Sequence, residues 1–485
     1  MIGLQQQHTQ GACPMKDSAN QGANRLGTRH RTGRIATLAL LLPLALGSTA
    51  QTPLQWNAQP SQSVATVTTP QATRNISQPA PVRQIAYVPP PRQVMPLASG
   101  FDMQQFEAVA QALVADQRVP GLAMAIVQNG RILSARGYGI TDVSNAAPID
   151  AHTVFRLASL SKAFAGTMTG MLVSEGALRW DSRVTDYMPA LQLSQPGAAQ
   201  QLTVADVVSQ RVGLVHNTYD RDLEANVDYH SLVQKLASAP MSCAPGQCYG
   251  YQNIAFSLIG DVVFAATGKF YPDAVAQRIF KPLGMNDASY GLEGIESSAR
   301  WAKPHVRGRG GWVSLIPKPS YYRVAPAAGV NASISDMAQW LIAQTGHRPD
   351  VLPPSLLATL HAPVIDTPSE LRGSSWRRAR LNAAGYGIGW RIYDYAGHRV
   401  VFHGGAVQGY RGVVAMVPER DLGIAILWNS ESSLPSGMLP TILDSAIGLT
   451  PGHWLDDQTE SQTLYARQPQ PQAGMDASTA EAMPE

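Results

Sequence analysis

Ser159 and Lys162 have the residue types and the spacing that nucleophilic catalysis requires. They lie in the segment Ser-Leu-Ser-Lys at the start of a predicted helix over 159–175, and residues three apart share a face of a helix. A serine hydroxyl needs a neighbouring base. Burial and the positive end of the helix dipole both disfavour the charged form of a lysine, so Lys162 becomes a usable base. No other lysine in the sequence follows a serine at this spacing, although the motif alone is a weak signal.

Tyr251 and Asn253 form a second candidate pair, between the turn at 245–246 and a predicted helix over 254–267. Two residues at this spacing in a short turn can point into one cleft. A tyrosine hydroxyl can pass a proton to a leaving group, and an asparagine amide can hold a substrate carbonyl while it bonds a lysine. The alternative is an ordinary turn in which Asn253 caps the following helix.

His403, Gly404 and Gly405 follow a predicted strand over 399–402. Glycines allow a substrate backbone to approach a sheet edge, and the N–H of Ala406 could complete an oxyanion hole with that of Ser159. A lone histidine is more often structural or on the surface. The three signals nevertheless occur once each, at a helix start, a loop and a sheet edge, where this chemistry needs them.

The elements that carry these residues predict an α+β fold. Two apolar runs, 121–127 and 131–138, flank Asn129-Gly130, and this dipeptide is a strong hairpin signal. Helical patterns dominate from about 155 to 345, and a final helix is predicted over 436–447. Strand patterns return late, at 387–393, 399–402, 412–417 and 422–428. We therefore expect an antiparallel sheet built from both termini of the domain, flanked by helices, with an inserted helical subdomain, and not a doubly wound parallel sheet.

The N-terminal residues have the order of a secretory signal peptide. A basic region (25–34), a short apolar stretch (35–46) and small residues (48–50) follow one another. We expect a cleaved signal over 1–50, a periplasmic or secreted protein, and no stable membrane insertion after cleavage; an uncleaved anchor is the alternative. Without residues 1–50 the chain has 32 basic and 33 acidic residues, so nucleic acid is an unexpected partner.

Composition divides the remaining chain into three parts. Residues 51–100 are rich in Pro, Gln, Ser and Thr and predict a disordered linker, 101–455 form the folded domain, and 456–485 are a predicted disordered tail. Cys243 and Cys248 flank a turn-forming sequence. In an oxidising compartment they predict a disulfide, with two buried free thiols as the alternative. No metal site and no cofactor are expected.

Several segments resemble the serine β-lactamase-related family, which includes class C β-lactamases, D-alanyl-D-alanine carboxypeptidases and esterases. The matching text is Val119-Pro-Gly121 and Phe155-Arg-Leu-Ala-Ser-Leu-Ser-Lys162, followed by Pro282-Leu-Gly-Met285, Tyr386-Gly-Ile-Gly-Trp390 and Val417-Pro-Glu-Arg-Asp-Leu-Gly-Ile424. The resemblance covers about 105–448 and implies the β-lactamase-like fold.

The resemblance also implies a role for each candidate residue. Ser159 would be the acylated nucleophile, Lys162 its proton partner, and Tyr251 the acid and base of acylation and deacylation. Asn253 would bind the substrate amide, and the strand with His403, Gly404, Gly405 and Ala406 would line the cleft.

Two segments depart from the family pattern. The third motif often reads Lys-Thr-Gly, and a neutral His403 is a weaker anchor for a substrate carboxylate. Arg411 and Arg323 are candidates for the missing charge. In addition, Ser209-Gln-Arg-Val-Gly-Leu214 stands where relatives commonly read His-Thr-Ser-Gly-Leu.

The sequence predicts an exported serine hydrolase that acts on a small-molecule or peptidoglycan-like substrate, either a β-lactam or a D-amino-acid peptide. A carboxylesterase of the same fold is the alternative. A non-catalytic module that binds the cell wall or senses β-lactams is a further hypothesis, against which stand the complete motifs.

Overall fold

The computed structural model describes residues 93–455. The predicted signal peptide (1–50), the predicted tail (456–485) and most of the predicted linker (51–100) lie outside these residues, so those predictions stay untested. The last residues of the predicted linker contact the domain through backbone hydrogen bonds, from Met95 to Glu419 (2.8 Å) and from Ala98 to Ala446 (3.1 Å).

Most strands come from the two ends of the described chain. They are β1 (Gly121–Gln128), β2 (Arg131–Gly139), β3 (Val154–Arg156), β4 (Ser289–Tyr290), β5 (His305–Gly308), β6 (Gly311–Ser314), β7 (Val330–Ser333), β8 (Ile365–Asp366), β9 (Leu381–Tyr386), β10 (Arg391–Tyr395), β11 (His398–Val407), β12 (Tyr410–Val417) and β13 (Leu422–Trp428). The large sheet has the order β2-β1-β13-β12-β11-β10-β9-β8, with antiparallel neighbours throughout. The predicted sheet from both termini is confirmed.

Helices fill the middle of the chain. They are α1 (Met103–Ala115), α2 (Ser161–Ser174), α3 (Val184–Tyr187), α4 (Ala198–Gln201), α5 (Val204–Val208), α6 (Asp220–Glu224), α7 (Tyr229–Lys235), α8 (Ile254–Thr267), α9 (Tyr271–Val275), α10 (Lys281–Leu283), α11 (Gly291–Glu296), α12 (Ala325–Ala328), α13 (Ile334–Ile342), α14 (Pro354–Leu360), α15 (Ser375–Arg380) and α16 (Met438–Ile447). Short 3₁₀ turns cover Ala158–Leu160, Leu236–Ser238, Ser320–Arg323, Pro368–Arg372, Pro418–Arg420 and Leu434–Gly437, and π turns cover Ala276–Phe280 and Ala343–His347.

The sheet is buried on both faces. Along β1 the side chains alternate between two cores: Ala123, Ala125 and Val127 belong to the core that contains α2 and α8. Leu122, Met124 and Ile126 belong to the core that contains α1 and α16. A strand covered on both faces reads as a continuous apolar run, which explains why Gly121–Gln128 shows no polar alternation in the sequence.

Two strand predictions were wrong. The segment 387–393 contains a turn between β9 and β10, closed by a hydrogen bond from the Gly387 N–H to the Trp390 carbonyl (2.7 Å). Gly389 has a φ of +74°, and a Cβ there would lie 2.3 Å from the Lys162 carbonyl oxygen, so glycine is required where this turn meets α2. The second error concerns His403–Gly405, which lie inside the longer strand β11 and not after its end.

Other predictions were confirmed closely. Asn129 and Gly130 have φ values of 50° and 69°, as a two-residue hairpin turn requires. Helix α8 covers the predicted residues, whereas the helix predicted from Ser159 begins as a 3₁₀ turn before α2. Within residues 93–455 no single helix is long and apolar enough to cross a membrane. Only α8 together with Tyr271–Leu283 passes that test, across a bend of 76°.

Candidate active site

Ser159 lies in the 3₁₀ turn that leads directly into α2. Ala158, immediately before it, has a φ of 50°, a left-handed conformation that costs about 1–3 kcal/mol for a residue other than glycine. The hydroxyl of Ser161 donates to the Ala158 carbonyl (2.6 Å) and accepts from the backbone N–H of Val330 (3.0 Å). Ser161 therefore supports the strained turn that presents Ser159.

Lys162 is fully buried and its amine faces three acceptors. Nζ lies 3.3 Å from the Ser159 Oγ, 2.7 Å from the Asn253 Oδ1 and 3.1 Å from the Ala327 carbonyl oxygen. Burial lowers the pKa of Lys162 well below its ordinary value, and the opposing charge of Asp220 only partly offsets this effect. A neutral amine has a lone pair that can accept a proton, so the geometry suits a base beside a nucleophile.

Tyr251 completes the immediate surroundings of Ser159. Its ring centroid lies 4.6 Å from the Lys162 Nζ, and the side chain is buried. Burial raises the pKa of Tyr251, although Arg391 and a hydrogen bond with Ser159 act in the opposite direction. The phenol therefore keeps its proton at neutral pH and can donate it.

A disulfide and two hydrogen bonds from a neighbouring side chain hold the turn that carries Tyr251 and Asn253. The disulfide Cys243–Cys248 closes the preceding loop, with 6.2 Å between the Cα atoms. The Gln210 side chain accepts a hydrogen bond from the Gln252 N–H (2.7 Å) and donates to the Gln252 carbonyl (3.2 Å). Gln210 lies in the segment Ser209–Leu214, which departs from the family pattern. It hydrogen-bonds both backbone groups of Gln252, the residue between the two candidate residues.

The strand β11 presents an uncovered edge beside Ser159. Its pairing with β10 ends at Phe402, whereas the pairing with β12 continues through Val407. Gly404 and Ala406 belong to this uncovered half, and Ala406 is exposed. A Cβ on Gly405 would lie 2.4 Å from the Leu157 carbonyl oxygen, so the glycine allows the strand to approach the Ser159 turn closely. Such an edge can pair with an extended substrate backbone.

His403 is buried and neutral. Burial, and next to it the positive charge of Arg391, lower its pKa well below the ordinary value. Nδ1 faces the Gly404 carbonyl (2.8 Å) and Nε2 faces the Tyr386 hydroxyl (3.3 Å), so the tautomer with the proton on Nδ1 satisfies both contacts. A neutral imidazole offers no charge for a substrate carboxylate.

The sequence reasoning missed a cation near Tyr251. The Arg391 guanidinium lies 5.5 Å from the Tyr251 ring centroid and forms an ion pair of 2.5 Å with Glu370. Arg377 pairs with the same carboxylate at 2.5 Å, so the cluster carries one surplus positive charge. Arg391 directly follows the quoted segment Tyr386–Trp390, but nothing in the sequence indicates that its side chain is mostly covered.

The two arginines that the sequence suggested occupy different places. Arg323 donates to the Asn226 carbonyl (2.7 Å). Arg411 lies opposite Ala406 in the pairing of β11 with β12. Within residues 93–455 no three His, Cys, Asp or Glu side chains gather in a way that could hold a metal ion.

Comparison with known proteins gives one family. A family model described as Beta-lactamase matches residues 106–446. The chain is 22% identical over 398 residues to the Unguisins hydrolase ungD' of Aspergillus campestris, covering 76% of this chain and 72% of that protein. It is 23% identical over 332 residues to Protein flp of Staphylococcus aureus (strain COL), covering 68% of this chain. The chain spans 63% of the length of Protein flp.

Among solved structures, the octameric penicillin-binding protein homologue from Pyrococcus abyssi is similar, with a TM-score of 0.64 and 23% identity. The match covers 76% of this chain and 82% of that one. At this level of identity the likeness shows the shared fold.

Proposed function

The chain belongs to the β-lactamase family, a family of hydrolases on a common fold, and from that membership we propose that it is an exported serine hydrolase that forms an acyl-enzyme on Ser159. The observation that carries the proposal is the 3.3 Å separation of the fully buried Lys162 Nζ and the half-buried Ser159 Oγ. Burial lowers the pKa of this amine and so favours its uncharged form, which a general base requires.

In the proposed acylation, Lys162 takes the proton of the Ser159 hydroxyl as the oxygen attacks the substrate carbonyl. Tyr251 is the less suitable base, because burial raises its pKa and keeps it protonated at neutral pH. The backbone N–H groups of Ser159 and Ala406 stabilise the oxyanion, as two such donors do in acyl transfer.

The phenol of Tyr251 then delivers a proton to the leaving group, so the amine or alcohol departs neutral. Asn253 holds the substrate amide beside Lys162. Water attacks the ester on Ser159 in the second half of the reaction. The Tyr251 phenolate left by acylation accepts the proton of this water, and Lys162 returns its proton to the Ser159 Oγ, as microscopic reversibility requires.

For the substrate we propose an amide, either a β-lactam or a D-amino-acid peptide of the cell-wall type. The surplus positive charge of the Arg391–Glu370–Arg377 cluster near Tyr251 supports an anionic substrate. The second candidate is an ester. The neutral state of His403 favours an ester, because an uncharged residue in the third motif cannot form an ion pair with a substrate carboxylate.

For the cellular location we propose the periplasm or the extracellular space. The order of basic, apolar and small residues over 1–50 supports export, and the Cys243–Cys248 disulfide is typical of an oxidising compartment.

The decisive experiment compares Ser159→Ala with Ser174→Ala. Ser174 is a matched control on the same helix, where its hydroxyl only bonds the Gly170 carbonyl (2.9 Å). Nitrocefin, a D-Ala-D-Ala peptide and p-nitrophenyl butyrate separate the substrate classes. We expect Ser159→Ala to lose at least about 10⁴-fold in turnover and all labelling by a fluorophosphonate, whereas Ser174→Ala keeps both. Hydrolysis that survives in Ser159→Ala would refute the proposal.

A further inference from the structure

Asp220 is a buried carboxylate behind the candidate active site that neither the sequence motifs nor the proposed mechanism uses. It is the first residue of α6 and is 9% exposed. Its Oδ2 accepts a hydrogen bond from the Asn253 Nδ2 (2.7 Å) and lies 3.5 Å from the Tyr321 hydroxyl. Its Oδ1 is buried without a hydrogen-bond partner. Burying a carboxylate with an unpaired oxygen costs free energy, which indicates that Asp220 has a function at this position.

The carboxylate determines which way the Asn253 amide faces. An ionised carboxylate only accepts hydrogen bonds, so Asn253 must turn its NH₂ group towards Asp220. The Asn253 Oδ1 then faces the Lys162 Nζ at 2.7 Å. Without the carboxylate the amide could rotate, and its NH₂ group would face the amine.

The orientation of Asn253 in turn determines where the lone pair of Lys162 points. A neutral amine has two N–H donors and one lone pair. The Ala327 carbonyl (3.1 Å) and the Asn253 Oδ1 can only accept, so each takes one N–H. The remaining direction leads to the Ser159 Oγ at 3.3 Å, and the lone pair meets the hydroxyl proton that it must remove.

From this geometry we infer that Asp220 is a positioning residue, which acts through Asn253 to aim the lone pair of Lys162 at Ser159. The inference deepens the proposed function and rests on it. Asp220 touches neither the substrate nor the reacting atoms.

Asp220 also affects the pKa of Lys162, and this effect can be measured separately from the rate. Its negative charge raises the pKa of Lys162, against the larger effect of burial. Burial raises the pKa of Asp220 itself. The other charged or titratable groups around this carboxylate and Lys162 are Glu224, Tyr321, Tyr251 and Arg391, and the charge of Arg391 lowers the pKa of Lys162. Tyr321 donates to Glu224 (3.0 Å), and Asn253 is uncharged. Removing the charge of Asp220 should therefore lower the pKa of Lys162 and extend activity to lower pH, while the misaimed lone pair slows the reaction at every pH.

The test measures the rate of fluorophosphonate labelling of the full chain between pH 5 and pH 10. We expect Asp220→Asn to lower the plateau rate by about 10- to 100-fold, as expected for a misplaced catalytic group, and to move the acidic midpoint to lower pH. Glu224→Gln is the matched control, because it removes a neighbouring carboxylate that hydrogen-bonds Tyr321 and leaves the Asp220 carboxylate and its bond from Asn253 in place. This control should keep the wild-type profile.

The double variant Asp220→Asn, Asn253→Asp keeps one amide and one carboxylate at these two positions, with the same total charge. The inference can therefore be tested with this variant if the single variant fails to fold. It places the carboxylate directly against Lys162, which should move the acidic midpoint to higher pH. A wild-type plateau and midpoint in Asp220→Asn would overturn the inference. So would a slower rate with an unchanged midpoint, which indicates a merely structural role. A wild-type protein that does not label at all would instead refute the proposed function itself.

Discussion

Burial lowers the pKa of Lys162 and raises the pKa of Tyr251. It favours the uncharged amine and keeps the proton of the phenol, because an apolar environment disfavours the charged form of either group. The site therefore places a group suited to act as a base beside a group suited to act as an acid. One amine and one phenol suffice for both proton transfers of the proposed acylation.

These pKa directions predict the pH dependence of acylation. The rate should rise with pH as Lys162 loses its proton, with a midpoint well below the ordinary lysine value. It should not fall again below about pH 10, because the pKa of Tyr251 lies above its ordinary value. Labelling rates measured with a pH-stable fluorophosphonate check both limbs. A decline between pH 7 and pH 9 would contradict the protonation states assigned here.

At the residue scale the sequence predicts the parts that follow local spacing. Ser159 and Lys162 share a helix face, and Tyr251 and Asn253 share a turn, so their motifs can be recognised from a few neighbouring residues. Asp220 and Arg391 could not be predicted in this way. Charged residues are usually on the surface. The burial of Asp220 and the partial burial of Arg391 arise from contacts with segments distant in the chain.

At the scale of elements, the fit between β11 and the Ser159 turn depends on one glycine. A Cβ on Gly405 would lie 2.4 Å from the Leu157 carbonyl oxygen, which is backbone and cannot rotate away. We expect Gly405→Ala to destabilise the protein by about 1–3 kcal/mol. Thermal melting measures the change.

Gly404→Ala is the matched control for this prediction. Its Cβ would meet the tip of the Phe402 ring at 3.4 Å, an ordinary contact, so its melting temperature should stay near that of the wild type. Equal melting temperatures for the two alanine variants would show that the close approach of β11 to the turn is not required.

The disulfide loop is the second element that positions the site, because Tyr251 follows Cys248 by three residues. Closing so short a loop stabilises the folded state by about 2 kcal/mol in the chain-entropy account. We expect a reductant to lower the melting temperature and the labelling rate of the wild type. The variant Cys243→Ser, Cys248→Ser should start from these lower values and not respond to the reductant. A wild type that is indifferent to reduction would contradict this role.

Element prediction failed where tertiary contact decides the conformation. The apolar run 387–393 suggests one strand, but Gly389 turns there because it must pass the Lys162 carbonyl. Asn129-Gly130, in contrast, encodes its hairpin within the two residues themselves, and that prediction was right.

At the scale of the whole molecule, the sheet joins the two ends of the domain. β1 pairs with β2 on one side and with β13 on the other, and the helical middle of the chain supplies Ser159, Lys162, Tyr251 and Asn253. The candidate site therefore lies where the helical part meets β11. Strand patterns at both ends with helices between them were enough to predict this architecture. The late strands β8 to β13 pair in chain order, whereas the pairing of β13 with β1 joins segments that are distant in the chain.

Intact-mass spectrometry can detect the ester on Ser159 through which the proposed hydrolysis passes. Wild-type protein is mixed with benzylpenicillin or with p-nitrophenyl butyrate, quenched in acid at a series of times, and digested to locate the adduct. We expect a mass increase equal to the acyl group, on the peptide that contains Ser159, and none in Ser159→Ala. Turnover accompanied by an adduct on any other residue, or turnover that Ser159→Ala retains, would contradict an acyl-enzyme on Ser159.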